Sequence, residues 1–312
     1  MFFKIIYNSE NRKINSVLKW LHLDHPSLQR LKQLSEGSPE TLIVRSKEYG
    51  KLLDDLWING VNKKTGLRRL ATLDEWLLSV IPKPFSASIS IMDVGGSDGS
   101  TTFELVQYLN ENLGIEIKAA ILEMQLRLHC FRRGFIRYYL TNDKIPFLLQ
   151  IGPVGILLEE KKCSKMRFVF NPLVRFIKKY LKRLCLENYL RNEGDLLLKN
   201  PIAKENSNIY WIEQDLFQFN QALVGAFDFI RCCNILNYSY FSEVQISKAV
   251  QLLAHYLKPK GFLLVSRSLE NSNSSLHRAS LWVRTRRGLK HISDLNGGSE
   301  IKEIVQKILE DS

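Results

Sequence analysis

The sequence predicts an α/β fold, a doubly wound sheet with helices on both faces, an N-terminal helical extension and a large basic insertion after the second strand. Three observations predict it. The apolar run Ile89–Met92 ends in Asp93, three glycines (Gly95, Gly96, Gly99) follow within five positions, and Thr101–Leu113 is amphipathic. Strand, tight loop, helix is how such a sheet builds a nucleotide site at the carboxyl end of its first strand. Short apolar runs then recur along the chain at strand length, with helical patterns between them. Finally, residues 124–205 carry 17 Lys or Arg against 7 Asp or Glu, most of the chain's net charge of +12.

The elements follow in order. Residues 1–84 read as an N-terminal helical region, with apolar periodicity at Val17–Leu23, Leu28–Leu34 and Leu70–Ile81; Pro82 and Pro84 stop the last helix. Residues 85–312 read as the main domain, interrupted by 124–205. Lys118–Glu123 is a second buried strand ending in an acid, and Glu123 lies 24 residues past Gly99. A carboxylate about 20 residues past the glycine loop is placed to bind ribose hydroxyls. Ile209–Phe217 is a third strand, passing Glu213 and Asp215; Phe227–Tyr238 holds a fourth. A helix over Ala249–Leu257 leads through Pro259 and Gly261 into a fifth, Phe262–Ser266. Leu281–Arg284 and Leu289–Ile292 flank Thr285–Gly288 as a hairpin, and Ile301–Leu309 closes the chain as a helix.

The loop chemistry narrows the ligand. A phosphate loop ends in Gly-Lys-Ser/Thr, and here there is no lysine. A dinucleotide fingerprint needs glycine where this chain has Ser97 and Ser100. The order Asp93-x-Gly95-x-Ser97-x-Gly99, then Glu123, then the acid after strand three, then Phe227–Tyr238 and Leu257-Lys-Pro-Lys-Gly261, resembles the class I S-adenosylmethionine-dependent methyltransferases. Ser97 departs from the glycine usual at the middle position. The resemblance implies a Rossmann-like seven-stranded sheet whose final strand pair is reversed, and S-adenosyl-L-methionine as cofactor. It implies cofactor contacts from Asp93, Gly95, Gly96, Ser97, Gly99, Glu123, Asp215, Leu216 and Asn234, and an acceptor pocket bordered by Tyr238 and Tyr240. The pattern from Phe227 to Leu263 also resembles the corresponding region of chemotaxis-receptor glutamate methyltransferases, through Asp228, Cys232, Asn234, Leu236 and Tyr238.

Simpler roles stand beside these. Asp93 equally suits orienting the loop, Asp98 a turn, and Thr101 with Glu104 a capping box. Glu123 could be a solvated strand end, Glu213 or Asp228 could replace Asp215, and Tyr238 and Tyr240 could be core aromatics. The five cysteines, an odd number, form no Cys-x-x-Cys pair, so neither a zinc knuckle nor a disulfide framework is indicated, which suits a reducing cytoplasm. Adjacent Cys232 and Cys233 read as small buried hydrophobes. His129 and His277 read as structural, and no metal site or general base is identified. Met1–Tyr7 is apolar but too short for a targeting segment.

The insertion sets the expectations about partners. Ile145–Leu158 is strongly apolar, too short to span a bilayer, and suits one or two buried strands or a pocket wall. Leu173, Phe176, Ile177, Tyr180, Leu181 and Leu184 recur at helical spacing, with Arg175, Lys178, Lys179, Lys182 and Arg183 on the other side. Residues 173–184 therefore read as a basic amphipathic helix. It suits a lid packed on the sheet domain, an anionic membrane surface or lipid-like acceptor, or a polyanion. No RNA-binding module is recognisable, and Arg231-Cys-Cys-Asn234 stands where amino-methylating nucleic-acid enzymes carry Asp/Asn-Pro-Pro-Tyr. The expected function is methyl transfer to a small-molecule or lipid-like acceptor in the cytoplasm, with peripheral membrane association. The alternatives are a protein or nucleic-acid acceptor, or a scaffold that binds cofactor without turnover.

Overall fold

The computed structural model describes residues 5–7, 28–54, 57–58, 61–62, 66–82, 88–151, 154–158, 167–186, 191–271 and 274–310. The expected helix at Val17–Leu23 lies outside them. The chain divides into two compact units, one of Met1–Gly66 with Gln125–Pro201, the other of Leu67–Met124 with Ile202–Ser312.

In the second unit we label strands β1 (Ser88–Val94), β2 (Glu116–Glu123), β3 (Ile209–Glu213), β4 (Phe227–Cys233), β5 (Leu257–Asn271), β6 (Ser274–Thr285) and β7 (Gly288–Leu295). Its helices are α1 (Ala71–Val80), α2 (Ser100–Leu113), α3 (Pro201–Lys204), α4 (Glu243–Tyr256) and α5 (Lys302–Glu310). The seven strands form one sheet in the order β3-β2-β1-β4-β5-β6-β7. The first five are mutually parallel, and β6 runs antiparallel to both its neighbours.

The side-chain alternation of a strand puts neighbouring apolar residues on opposite faces. Ile91, Ala119, Ile121, Phe229 and Leu264 face one way and pack with Leu73 and Leu77 of α1 and Leu105, Val106 and Leu109 of α2. Met92, Ala120, Leu122, Ile230 and Leu263 face the other way and pack with Ile246, Val250 and Leu253 of α4 and Ile304 and Val305 of α5. Helices therefore cover both faces, as expected. α1, grouped with the N-terminal region in the sequence reading, belongs to this unit.

Local chemistry sets the helix ends. α2 starts after Gly99 (φ 84°) and stops at Gly114 (φ 64°), whose N–H bonds the Asn110 carbonyl, a left-handed glycine stop. The capping box expected at Thr101 and Glu104 does not form, because Gly99 is the N-cap. Glu104 instead takes the Arg68 N–H on both oxygens, at 2.6 and 2.7 Å. A capping box does start α4, between Ser242 and Gln245. The terminal hairpin forms where expected, but its strands are not in reversed order. No helix separates β5 from β6, so the chain turns straight back and β6 pairs with β5, leaving β7 at the edge.

The first unit holds a six-stranded antiparallel sheet. Its order is Ile5–Tyr7, Val154–Leu157, Pro146–Ile151, Ile136–Leu140, Arg127–Arg133, Arg191–Leu197. The apolar run at 145–158 thus makes two strands, as its composition predicts. Leu31 and Leu34 of the helix Leu28–Glu36, and Tyr49 and Leu53 of the helix Leu42–Leu53, pack on Leu128, Tyr139, Phe147 and Leu148. The helix Arg167–Leu186 joins a separate cluster in which Val174 and Leu181 meet Tyr138, Leu140 and Leu158. Two expectations about that helix change. Its apolar side packs on its own unit's strands, where a lid would have packed on the main sheet. The buried stripe is also rotated, running through Val174, Ile177 and Leu181, while Phe176 and Tyr180 stand 69% and 50% exposed. Among the described residues no helix is long and apolar enough to cross a membrane.

Candidate functional site

The carboxyl ends of β1, β2 and β4 bring the expected residues together. After Val94 the backbone turns through Gly95 (φ 68°), Ser97 (φ 55°) and Gly99 (φ 84°). Gly95 is tied to β2 by its N–H on the Leu122 carbonyl at 2.8 Å. Asp98, fully buried, accepts both the N–H and the hydroxyl of Ser100 at 3.0 and 2.8 Å, so it is the turn residue its position suggests. The Ser97 N–H donates to a carboxylate oxygen of Glu123 at 3.1 Å. The acid at the end of β2 and the glycine loop are thus in direct contact.

The glycines face protein. A Cβ on Gly95 would lie 2.4 Å from the side chain of Ile235, and one on Gly99 would lie 2.7 Å from both Ile121 and Trp211. No residue with a side chain fits at either place without moving its neighbours.

Asp93 orients the loop through a buried network. It is 2% exposed and faces Arg231 across the β1–β4 register. Arg231 is fully buried; it holds Asp93 at 2.6 Å and Asp74 of α1 at 3.1 Å. Thr102 adds a hydroxyl to Asp93 at 2.5 Å. Burial alone would pull the guanidinium down; Asp93 and Asp74 outweigh it and raise Arg231 above its ordinary value. Burial pushes the Asp74 carboxyl up to about 7, against the pull of Arg231. Sequence reasoning missed Arg231 and Asp74. The available signal was a cation inside an apolar strand, where an unpaired charge is not tolerated.

Asn234 follows β4 in the left-handed region (φ 64°), uncommon for a residue with a side chain. Its amide clamps Ser268: the Ser268 N–H donates to its oxygen at 2.6 Å, and its nitrogen donates to the Ser268 hydroxyl at 3.2 Å. That hydroxyl also lies 3.0 Å from Nδ1 of His277, which is 3% exposed and lowered by burial. His277 is thus structural, as expected. So is His129, which binds Asp195 at 2.8 Å in the first unit. Burial holds the Cys232 thiol well above its usual range and pushes Cys233 up to about 12, which favours the neutral thiol in both.

The remaining expected residues are placed less tightly. Asp215 accepts the Phe217 N–H at 2.9 Å, closing its own turn. It follows Gln214, whose N–H binds the Glu123 carbonyl. The Leu216 side chain lies in the core with Val94 and Leu122. Tyr238 and Tyr240 are 51% and 48% exposed, so they are not core aromatics. Among the described residues no cluster of His, Cys, Asp and Glu could hold a metal ion.

Five parallel strands in the order 3-2-1-4-5, an antiparallel strand beside them, a glycine loop after the first and an acid after the second decide the architecture. The fold is that of the class I methyltransferases in its five parallel strands, with the final pair in plain rather than reversed order. No protein-family model and no curated protein matches the chain. Solved methyltransferase structures do. The CMeT domain of the citrinin polyketide synthase is similar at 14% identity and TM-score 0.33, over 77% of this chain and 42% of that one. The sugar N-methyltransferase KedS8 of Streptoalloteichus sp ATCC 53650 is similar at 15% and 0.33, over 78% and 79%. Rickettsia typhi PKMT2, solved in complex with AdoHcy, is similar at 14% and 0.29, over 60% and 22%. Of the three, only KedS8 is matched over more than half its length. Likenesses this distant assign no activity to the methyltransferase fold seen here.

The donor set at the loop does fit S-adenosylmethionine. Glu123 and Asp215 offer carboxylates near the loop, and the cation Arg231 is buried and paired with two acids. Such a site suits a cationic ligand with ribose hydroxyls and disfavours a pyrophosphate.

Proposed function

We propose that this protein is an S-adenosylmethionine-dependent methyltransferase acting on a small-molecule or lipid-like acceptor. The observation that carries the reading is the contact of Glu123 with the Ser97 N–H, which joins a ribose-binding acid to the glycine loop at the carboxyl edge of a parallel sheet. Glu123 would hold the ribose, the loop from Gly95 to Gly99 the adenosyl body, and Asn234 the methionine end.

When bound, the cofactor supplies a methyl group already activated by its sulfonium. The protein's part is then alignment, and holding reactants in line can supply roughly 7–11 kcal/mol of the barrier. The residues near the loop suit that part. Asn234 is fixed by Ser268, burial raises both cysteine thiols, and His277 is engaged by Ser268. None is poised as a base, which favours an acceptor atom that carries its lone pair without deprotonation.

A non-catalytic binding role is the second reading, favoured by the engagement of the histidine beside Asn234 and Ser268 in a structural hydrogen bond, which leaves no base there. Calorimetry with S-adenosylmethionine and with S-adenosylhomocysteine tests the first step; no heat from either refutes both readings. Release of label from methyl-labelled cofactor into acceptor extracts then separates enzyme from scaffold.

A further inference from the structure

We propose that the helix Arg167–Leu186 docks the protein on the surface of an anionic lipid bilayer. The proposal does not depend on cofactor binding. The helix contains six Lys or Arg and no Asp or Glu. Lys and Arg gathered on one helix raise a positive surface potential that attracts an anionic surface.

The packing decides which side is available. Val174 and Leu181 are buried and Ile177 is half-buried against the unit's own strands. Opposite them, Arg175, Phe176, Lys179, Tyr180 and Arg183 are all exposed. Their spacing places them along one outward stripe. Phe176 and Tyr180, four residues apart, are rings that a helix with water on that side would replace by polar residues. Alternation of rings and cations is the composition of interfacial helices, whose rings enter the headgroup layer while Lys and Arg meet lipid phosphates.

A second element repeats the pattern. The hairpin turn Arg133-Gly134-Phe135 carries an exposed cation and a phenylalanine that is 71% exposed. Its strands supply Phe131, Ile136, Tyr138 and Leu140 to the cluster that seats Val174 and Leu181, so hairpin and helix share one support. Ile151, the register partner of Ile136, is 38% exposed at the next hairpin end. A single-stranded nucleic acid would also use rings and cations, but within a groove that tracks its backbone. Here the rings stand on the outward side of a helix and at a turn.

The test is co-sedimentation of the full chain with phosphatidylcholine vesicles and with vesicles containing phosphatidylserine, beside binding of a fluorescent single-stranded RNA oligomer. The expected result is retention only on phosphatidylserine vesicles, reduced by salt. Replacing two cations with acids, Lys179→Glu with Arg183→Glu, should weaken it by about tenfold or more. Phe176→Ser with Tyr180→Ser, which leaves the charge unchanged, should weaken it as well, with an unaltered thermal midpoint showing both variants folded. Retention that ignores lipid charge, no retention, or variants that retain like the parent would overturn the proposal. So would RNA binding that is tighter than vesicle binding and lost in the same variants.

Discussion

Arg231 and Asp93 face each other across neighbouring parallel strands, joined at 2.6 Å with both side chains out of water. Asp93, the acid that opens the loop signature, is thereby spoken for from inside the protein. The loop inherits its shape from a buried ion network, and three predictions below concern that network and the loop it holds.

Removing the cation alone should be severe. Arg231→Met leaves Asp93 and Asp74 buried without their partner, and breaking a buried pair costs about 3–5 kcal/mol. Chemical denaturation of the variant should show a loss of that size, with cofactor binding lost in step.

Asp74 makes stability pH-dependent. Its folded value is raised to about 7 from 3.8, so folding favours the protonated form. The contribution is fully present below pH about 4 and declines as pH rises through about 7. Asp74→Asn cannot ionise. The thermal midpoint of the parent minus that of the variant should therefore fall between pH 4 and pH 7; a difference that stays flat or rises would contradict this.

Glu123→Ala should separate binding from folding. Glu123 is at a strand end, and hydrogen bonds to a charged group are worth about 1.5–3 kcal/mol, or roughly 10- to 100-fold in affinity. Calorimetry should show a loss in that range for S-adenosylmethionine while the melting temperature moves little. Glu123→Gln should fall between.

Gly99→Ala tests the shape of the loop. The added methyl would meet Ile121 and Trp211 at 2.7 Å, with the backbone at φ 84°. Overpacking and left-handed strain each cost about 1–3 kcal/mol. The variant should unfold at lower denaturant, whereas Gly134→Ala, at an open turn, should pay only for its backbone.

The strand-loop-helix unit was legible because it depends on short-range pattern; the sheet followed only from the family resemblance, and the hydrogen bond of the Ser97 N–H to Glu123 has no signature in the sequence. Asp93 was legible only as an acid in place, since the cation that holds it is remote in the sequence: Arg231 pairs with Asp93 across 138 residues and with Asp74 across 157. The helix at Arg167–Leu186 was visible, but its buried side was misjudged. Val174 was left out of the apolar stripe and Phe176 put in, because ring size says nothing of which side meets the strands. The pairing of Ile5–Tyr7 with Val154–Ile156 has no local signature, and the N-terminal region therefore read as helices alone.

The interleaving of the two units has a consequence for synthesis. Ile5–Tyr7 leaves the ribosome long before Val154–Ile156, its strand partner among the described residues, exists. β2 must likewise wait for β3, across the whole of the intervening unit, before that edge of its sheet is complete. At about 5–20 residues per second the nascent chain holds unsatisfied strand edges for several seconds. Conditions that shield those edges until Val154–Ile156 and β3 have emerged are the ones under which this topology should be recovered intact.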